Sequence, residues 1–218
     1  MYIEFSNGFN LIFKGAKKMI SNEQIRAKAR AALGNNIFSG EWLYALIVIV
    51  AVSAILSLLS PTGIGTFIVY GLLMSAASAY FIGRIRGTAD HKNLGITIDA
   101  LKADIVGNII TGFLYTLFIS LWSMLFVIPG IVKSCSYAMT FYVKNDNPSL
   151  SANEAITESR RLMEGYKMQY FLLQLSFIGW MFVGTLCLGV GTFWVSAYME
   201  AARAAFYEEL KAIKSTNP

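Results

Sequence analysis

The chain has 218 residues, a net charge of +5 and 56% hydrophobic residues, and its mean hydropathy is +0.54. A pI of 9.2 first suggests nucleic acid. The basic residues flank apolar runs instead of forming a patch, however, which points to topology signals and anionic lipid and argues against a nucleic-acid partner.

Trp42–Ser60, Ile64–Gly83, Ile105–Val132, Ser134–Val143 and Met168–Met199 contain no Asp, Glu, Lys, Arg or His. A helix crossing the ~30 Å hydrocarbon core needs about 20 apolar residues. A soluble core helix or strand would be shorter or would carry a polar face, and the dyad alternation of a membrane β-barrel is absent. The expected fold class is all-α: a polytopic transmembrane bundle of about six spans, with two short cytoplasmic interfacial helices.

The first 18 residues do not read as a signal peptide, because Glu4 comes early and the apolar stretch Phe9–Phe13 is short. Lys14-Gly15-Ala16 can be encoded by a purine-rich ribosome-binding site just before Met19. Residues 1–18 are therefore expected to be a non-native or disordered extension, 19–210 a single integral-membrane domain and 211–218 a cytoplasmic tail.

Ser21-Asn22-Glu23-Gln24 has capping-box spacing. It opens a helix to about Leu33, with Ile25, Ala29 and Ala32/Leu33 on one face and Arg26, Lys28 and Arg30 on others. That arrangement suits an interfacial helix on an anionic leaflet. Trp42–Ser60, a Pro61-Thr62-Gly63 turn and Ile64–Gly83 form the first hairpin. Gly71, Ser75, Ala79 and Gly83 recur every fourth residue, a small-residue stripe that lets another backbone approach.

A polar segment from Arg84 to Asp104 precedes the third span, which is expected to end at Ile128-Pro129-Gly130. Ile131–Asn147 is the shortest plausible span, about 25 Å as a helix. Counting Lys and Arg decides for it. A six-span arrangement with both termini inside places 17 of the 18 basic residues on the cytoplasmic side or at the inner end of a helix, Lys133 excepted. A re-entrant Pro-Gly loop is the competing arrangement.

Ser151-Ala152-Asn153-Glu154 is a second capping box, opening a surface helix to about Glu164. Met168–Met199 is too long for one span and is divided by Gly184, Gly189 and Gly191. Gly63-Ile64-Gly65-Thr66-Phe67 and Gly189-Val190-Gly191-Thr192-Phe193 match, hinting at a repeated hairpin.

The second half carries a family pattern. It includes Leu121-Trp122, Ile128-Pro129-Gly130-Ile131-x-Lys133, Tyr137 with Met139, Phe141-Tyr142 and Asp146-Asn147-Pro148. It continues through Ser151-Ala152-x-Glu154-Ala155-Ile156, Ser159, Leu162-Met163-x-Gly165-x-Lys167, Leu175–Trp180, Gly189-x-Gly191, Tyr198-Met199, Ala202 and Ala205-Phe206-Tyr207. Together with Ile20-Ser21-Asn22 and Ala29-Arg30, the set resembles the bacterial integral-membrane family known as domain of unknown function nine-seven-five, over roughly Met19–Leu210. The resemblance implies a multi-pass protein of the bacterial cytoplasmic membrane and no established activity. Ser196 departs from the pattern, where Pro is expected, so a proline kink is not carried over to the last span.

No HExxH, GxSxG or Walker pattern is present, and Cys135 and Cys187 fit no metal or CxxC spacing. The expectation is a protein without catalytic activity, cofactor or metal. The candidate binding residues are Pro129, Gly130, Lys133, Glu200 and Arg203. Lys133 is the exceptional cation beside a Pro-Gly break; Glu200 and Arg203 share one face of the last span at a three-residue spacing. These residues lead to transport or permeation of a small or amphiphilic solute. The alternative is an accessory or scaffold protein that binds lipids or envelope partners through its cytoplasmic helices. Expected partners are the bilayer, anionic lipids of its cytoplasmic face, and a membrane-protein partner or a second copy. Asp146, between two Asn residues and before Pro148, reads as part of a turn.

Overall fold

A computed structural model describes residues 19–34, 36, 39–59, 64–88, 94–125, 127–186 and 189–216. The extension 1–18, the Pro61–Gly63 turn, His91 and Cys187 lie outside the described residues. All regular structure among the described residues is helical. The helices are α1 Asn22–Ala32, α2 Gly40–Leu59, α3 Ile64–Arg86, α4 Gly95–Ala103 and α5 Ile105–Leu125. They continue with α6 Val127–Tyr137, α7 Thr140–Asp146, α8 Ala152–Leu162, α9 Lys167–Leu186 and α10 Val190–Thr216.

Both capping boxes form. Ser21 Oγ accepts from Gln24 N (3.3 Å) and Gln24 Oε1 from Ser21 N (3.0 Å), so two otherwise unpaired donors are satisfied at the start of α1. Ser151 and Glu154 do the same for α8, at 3.3 and 2.7 Å. Each cap makes a short helix whose apolar stripe turns inward. Ile25, Ala29 and Leu33 are fully buried at the α1 end, and Ala155, Ile156 and Ser159 are buried on α8. The stripe expected to rest on lipid therefore packs on the protein, with α1 lying on α10 and α3, and α8 on α5, α6 and α7.

α2, α5 and α9 are long and apolar enough to cross a membrane, and only 22, 17 and 22% of their apolar windows is buried. Their outward residues are large hydrophobes, among them Leu43, Ile47 and Leu58 on α2, Leu121 and Met124 on α5, and Ile178 and Phe182 on α9. Side chains of this kind, exposed in continuous bands, suit contact with lipid and not with water. Inside this shell run α3 and α10, which have no exposed residue over 69–85 and 191–210 respectively. Their C-terminal ends meet, Arg86 against Glu208, so the two run in the same direction. α10 continues unbroken past Ser196 and takes in most of the expected tail.

The small-residue stripe on α3 is a backbone contact. A Cβ on Gly71 would lie 2.0 Å from the Asn108 carbonyl oxygen and 2.9 Å from Gly112 Cα, so only glycine fits where α3 crosses α5. Ser75, one turn on, is fully buried and donates to Asn145 Oδ1 at 2.6 Å. Trp42 is buried edge-on against Tyr198, whereas Trp180 is 61% exposed.

The short segment after Pro129 departs from its sequence reading. α6 already starts at Val127 and holds Pro129 in its first turn, where the missing N–H has no helical partner to lose. The break comes later, at Ala138-Met139. There Met139 N donates to Ser159 Oγ (3.1 Å), and Ser159 donates to the Ser136 carbonyl (2.9 Å). A hydroxyl from α8 thus enters the backbone ladder and separates α6 from α7.

Candidate functional site

Charges that sequence spacing scatters are gathered at one end of the bundle. Asp146, the last residue of α7, receives two bonds from Arg86 (both 2.8 Å), one from Lys211 (2.5 Å) and one from Tyr207 Oη (2.9 Å). Arg86 also binds Glu208 at 2.7 Å, and Lys28 on α1 pairs with Glu209. Asp146 is therefore a junction of α3, α7 and α10, not a turn residue. Burial alone would push its carboxyl up; the bonds from Arg86, Lys211 and Tyr207 outweigh this and hold it below the ordinary value.

Nearby, Lys144 is 2% exposed yet fully engaged. Its ammonium donates to Asp104 Oδ2 (2.6 Å) and to the carbonyls of Pro148 (2.8 Å) and Leu150 (2.5 Å). Three donors meet three acceptors, which makes a buried cation tolerable. The Lys144 bond and the backbone N–H of Gly107 lower the Asp104 carboxyl in turn. This group ties the α4–α5 junction to α7, and we assign it no chemistry.

The second ionic centre lies within the bundle. Arg203 Nη1 meets Glu200 Oε1 at 2.9 Å, one turn apart on α10. Arg203 Nε donates to Tyr170 Oη of α9 (2.9 Å), and Gln174 Nε2 donates to the same oxygen (2.7 Å). Tyr142 Oη of α7 donates weakly to Glu200 Oε2 at 3.4 Å. Tyr70 of α3 and Tyr115 of α5 also lie within electrostatic reach of both charges. Their rings stack at 6.2 Å, and Phe141 closes the group, 5.3 Å from Tyr115.

Two helices, α7 and α9, thus bring a tyrosine hydroxyl onto an ion pair carried by α10, with the Tyr70–Tyr115–Phe141 ring group nearby. Tyr142 and Tyr170 are almost wholly buried, but the Arg203 and Glu200 side chains keep 21% and 15% of their accessible surface. The pair is therefore enclosed on its tyrosine side and keeps a limited accessible edge. The i, i+3 spacing exposed the pair in the sequence. The tyrosines escaped notice because each comes from a different helix.

The other candidates sit elsewhere. Pro129 and Gly130 are in the first turn of α6, where a Cβ on Gly130 would lie 2.7 Å from Ser123 Oγ of α5. Lys133 places its ammonium 4.4 Å from the Trp122 ring centroid, a cation–π contact. The charges of Arg160 and Lys167 act on the same ammonium. Among the described residues no contact joins this corner to Glu200 or Arg203. Nor does any group of three or more His, Cys, Asp or Glu side chains come close enough to hold a metal ion. Cys135 is a buried free thiol.

No curated protein and no solved structure matches the chain. Residues 98–214 match the family model described as "Protein of unknown function (DUF975)". The match starts within α4 and takes in α5–α9 and α10 nearly to its end, including every residue of the ion-pair centre except Tyr70. As it covers more than half of the chain, the protein belongs to the DUF975 family.

Proposed function

We propose that this protein passes a small or amphiphilic solute across the bacterial cytoplasmic membrane, binding it at the Glu200–Arg203 centre. In this reading six segments cross: α2, α3, α5, α6 with α7, α9 and α10. Both termini and the Asp146 junction lie on the cytoplasmic side. Supporting this orientation, Arg84, Arg86, Lys28 and Lys211 cluster at one end, as positive charge does on the inner side.

The observation that carries the functional reading is the accessible ion pair itself. Ionisable groups inside a membrane bundle are costly, and those retained there mark substrate or ion paths. The pair is contacted by the buried Tyr142 and Tyr170 hydroxyls, which fits a polar site within the bundle. Pro129, Gly130 and Lys133 then serve the α5–α6 corner and not the pathway.

The rival reading, an accessory protein that docks partners or lipids, has one feature in its favour. A cleft of about 500 Å³ opens on the polar side of α8, lined by Asn147, Leu150, Asn153, Glu154, Thr157 and Glu158. The two readings separate in proteoliposomes, by stopped-flow light scattering after mixing with glycerol, glycine, sodium acetate or tetramethylammonium chloride. Solute passage predicts faster relaxation than in empty vesicles for at least one probe. Arg203→Gln should slow it about tenfold, the worth of a lost charged hydrogen bond, while Arg26→Glu leaves it unchanged. No protein-dependent relaxation with any probe overturns the reading in favour of the accessory role.

A further inference from the structure

We infer that the centre recognises a zwitterion: a solute or headgroup that carries an ammonium beside a carboxylate or phosphate. This rests on the reading above that Glu200 and Arg203 form a binding site, and it names the class of ligand.

The argument starts from the atoms left over. Arg203 uses Nη1 on Glu200 and Nε on Tyr170; its Nη2 has no acceptor among the described residues. Tyr170 Oη accepts from both Arg203 and Gln174, so its own proton also lacks a described acceptor. Glu200 commits Oε1 to Arg203, while Oε2 has only the 3.4 Å contact with Tyr142. The centre therefore offers two donors, the guanidinium edge and a phenolic O–H, beside one underused carboxylate oxygen.

The pair carries no net charge, which decides between ligand classes. An anion drawn to Arg203 would meet the Glu200 carboxylate, and a cation drawn to Glu200 would meet the guanidinium. Either would also bring uncompensated charge against the buried Tyr142 and Tyr170 rings, where desolvation opposes it. A zwitterion engages both ends and adds no net charge. Its acid group fits the Arg203 Nη2 and Tyr170 donors, and its ammonium fits Glu200 Oε2 and the neighbouring aromatic faces. A free amino-acid-like solute and a zwitterionic lipid headgroup share this chemistry.

The test titrates full-length protein in detergent by isothermal calorimetry with glycine betaine, sodium acetate and tetramethylammonium chloride. Betaine should bind saturably and at least about tenfold more tightly than either half, since joining the halves makes the second contact intramolecular. Glu200→Gln should shift preference towards acetate, and Arg203→Gln towards tetramethylammonium. Repeating the betaine titration in nanodiscs identifies the source. Weaker binding in phosphatidylethanolamine than in phosphatidylglycerol supports the inference with a headgroup as ligand; equal binding supports it with a free zwitterion. Acetate or tetramethylammonium binding as tightly as betaine overturns the zwitterion assignment and leaves the site standing. Betaine failing to bind while another probe still crosses proteoliposomes does the same. No binding and no passage of any probe removes both.

Discussion

Glu200→Gln is expected to destabilise the protein by about 3 kcal/mol, and Arg203→Gln by a similar amount, because each leaves a charge with no counter-charge inside the bundle. The double variant is expected to cost only about 1 kcal/mol, since neutral amides can pair with each other and with the Tyr142 and Tyr170 hydroxyls. The quantity that matters is the coupling between the two residues, about 5 kcal/mol on these values. Unfolding in mixed micelles, followed by tryptophan fluorescence, gives all three values. Additive single effects would mean that water at the pair screens the two charges fully, and the pair would then have no structural weight.

The second large effect is at the other ionic centre. Asp146→Asn removes the carboxylate that binds Arg86 twice and also Lys211 and Tyr207. Asn keeps one acceptor oxygen, and Arg86 and Lys211 are partly exposed. The expected loss is therefore about 2 kcal/mol at pH 7, below that for an enclosed pair. The pH dependence follows from the depressed Asp146 carboxyl. A carboxylate whose folded-state value lies below its unfolded value adds stability that is fully present above the ordinary value of 3.8. That stability disappears as the pH falls through the folded value. Wild type should accordingly lose its advantage over Asp146→Asn below about pH 4. A constant difference between the two from pH 7 to pH 3 would show that the carboxylate charge is not what holds α3, α7 and α10 together.

Features written in short-range chemistry were legible in the sequence. Ser21 with Gln24 and Ser151 with Glu154 form caps because both partners lie within one turn. Gly71 could be read as a close-approach position because its stripe repeats at the helical period, although the sequence could not name Gly112 as the surface it meets. Glu200 and Arg203 were recognisable as a pair for the same reason of spacing.

What the sequence hid is tertiary. The helix break at Ala138-Met139 is made by Ser159 of another helix, 20 residues on from Met139, whereas Pro129 sits in the first turn of α6. Asp146 looks like a turn residue among Asn145, Asn147 and Pro148 because its partners come from 60 to 65 residues away. Lys133 stood out as a lone cation on the outer side. Its ammonium lies over Trp122, within the field of Arg160 and Lys167, and neither neighbourhood follows from spacing. The apolar stripe of α1 is legible from its spacing, but amphipathicity does not say whether a bilayer or a protein receives it. Here Ile25 and Ala29 are enclosed by the bundle.

The central claim of the proposed function is that a solute can reach the Glu200–Arg203 pair from water. Thiol accessibility tests it most directly, with single cysteines at Tyr115, Leu121 and Ser149 after Cys135→Ser and Cys187→Ser. Tyr115 packs on Tyr70 and Phe141, Leu121 is 55% exposed on the outer side of the same helix, and Ser149 is in the polar segment after α7. In native membranes, a small charged methanethiosulfonate should modify Tyr115→Cys and Ser149→Cys and spare the lipid-facing Leu121→Cys. If Tyr115→Cys stays as unreactive as Leu121→Cys while Ser149→Cys is labelled, the ion pair is sealed, and the account of a solute site fails.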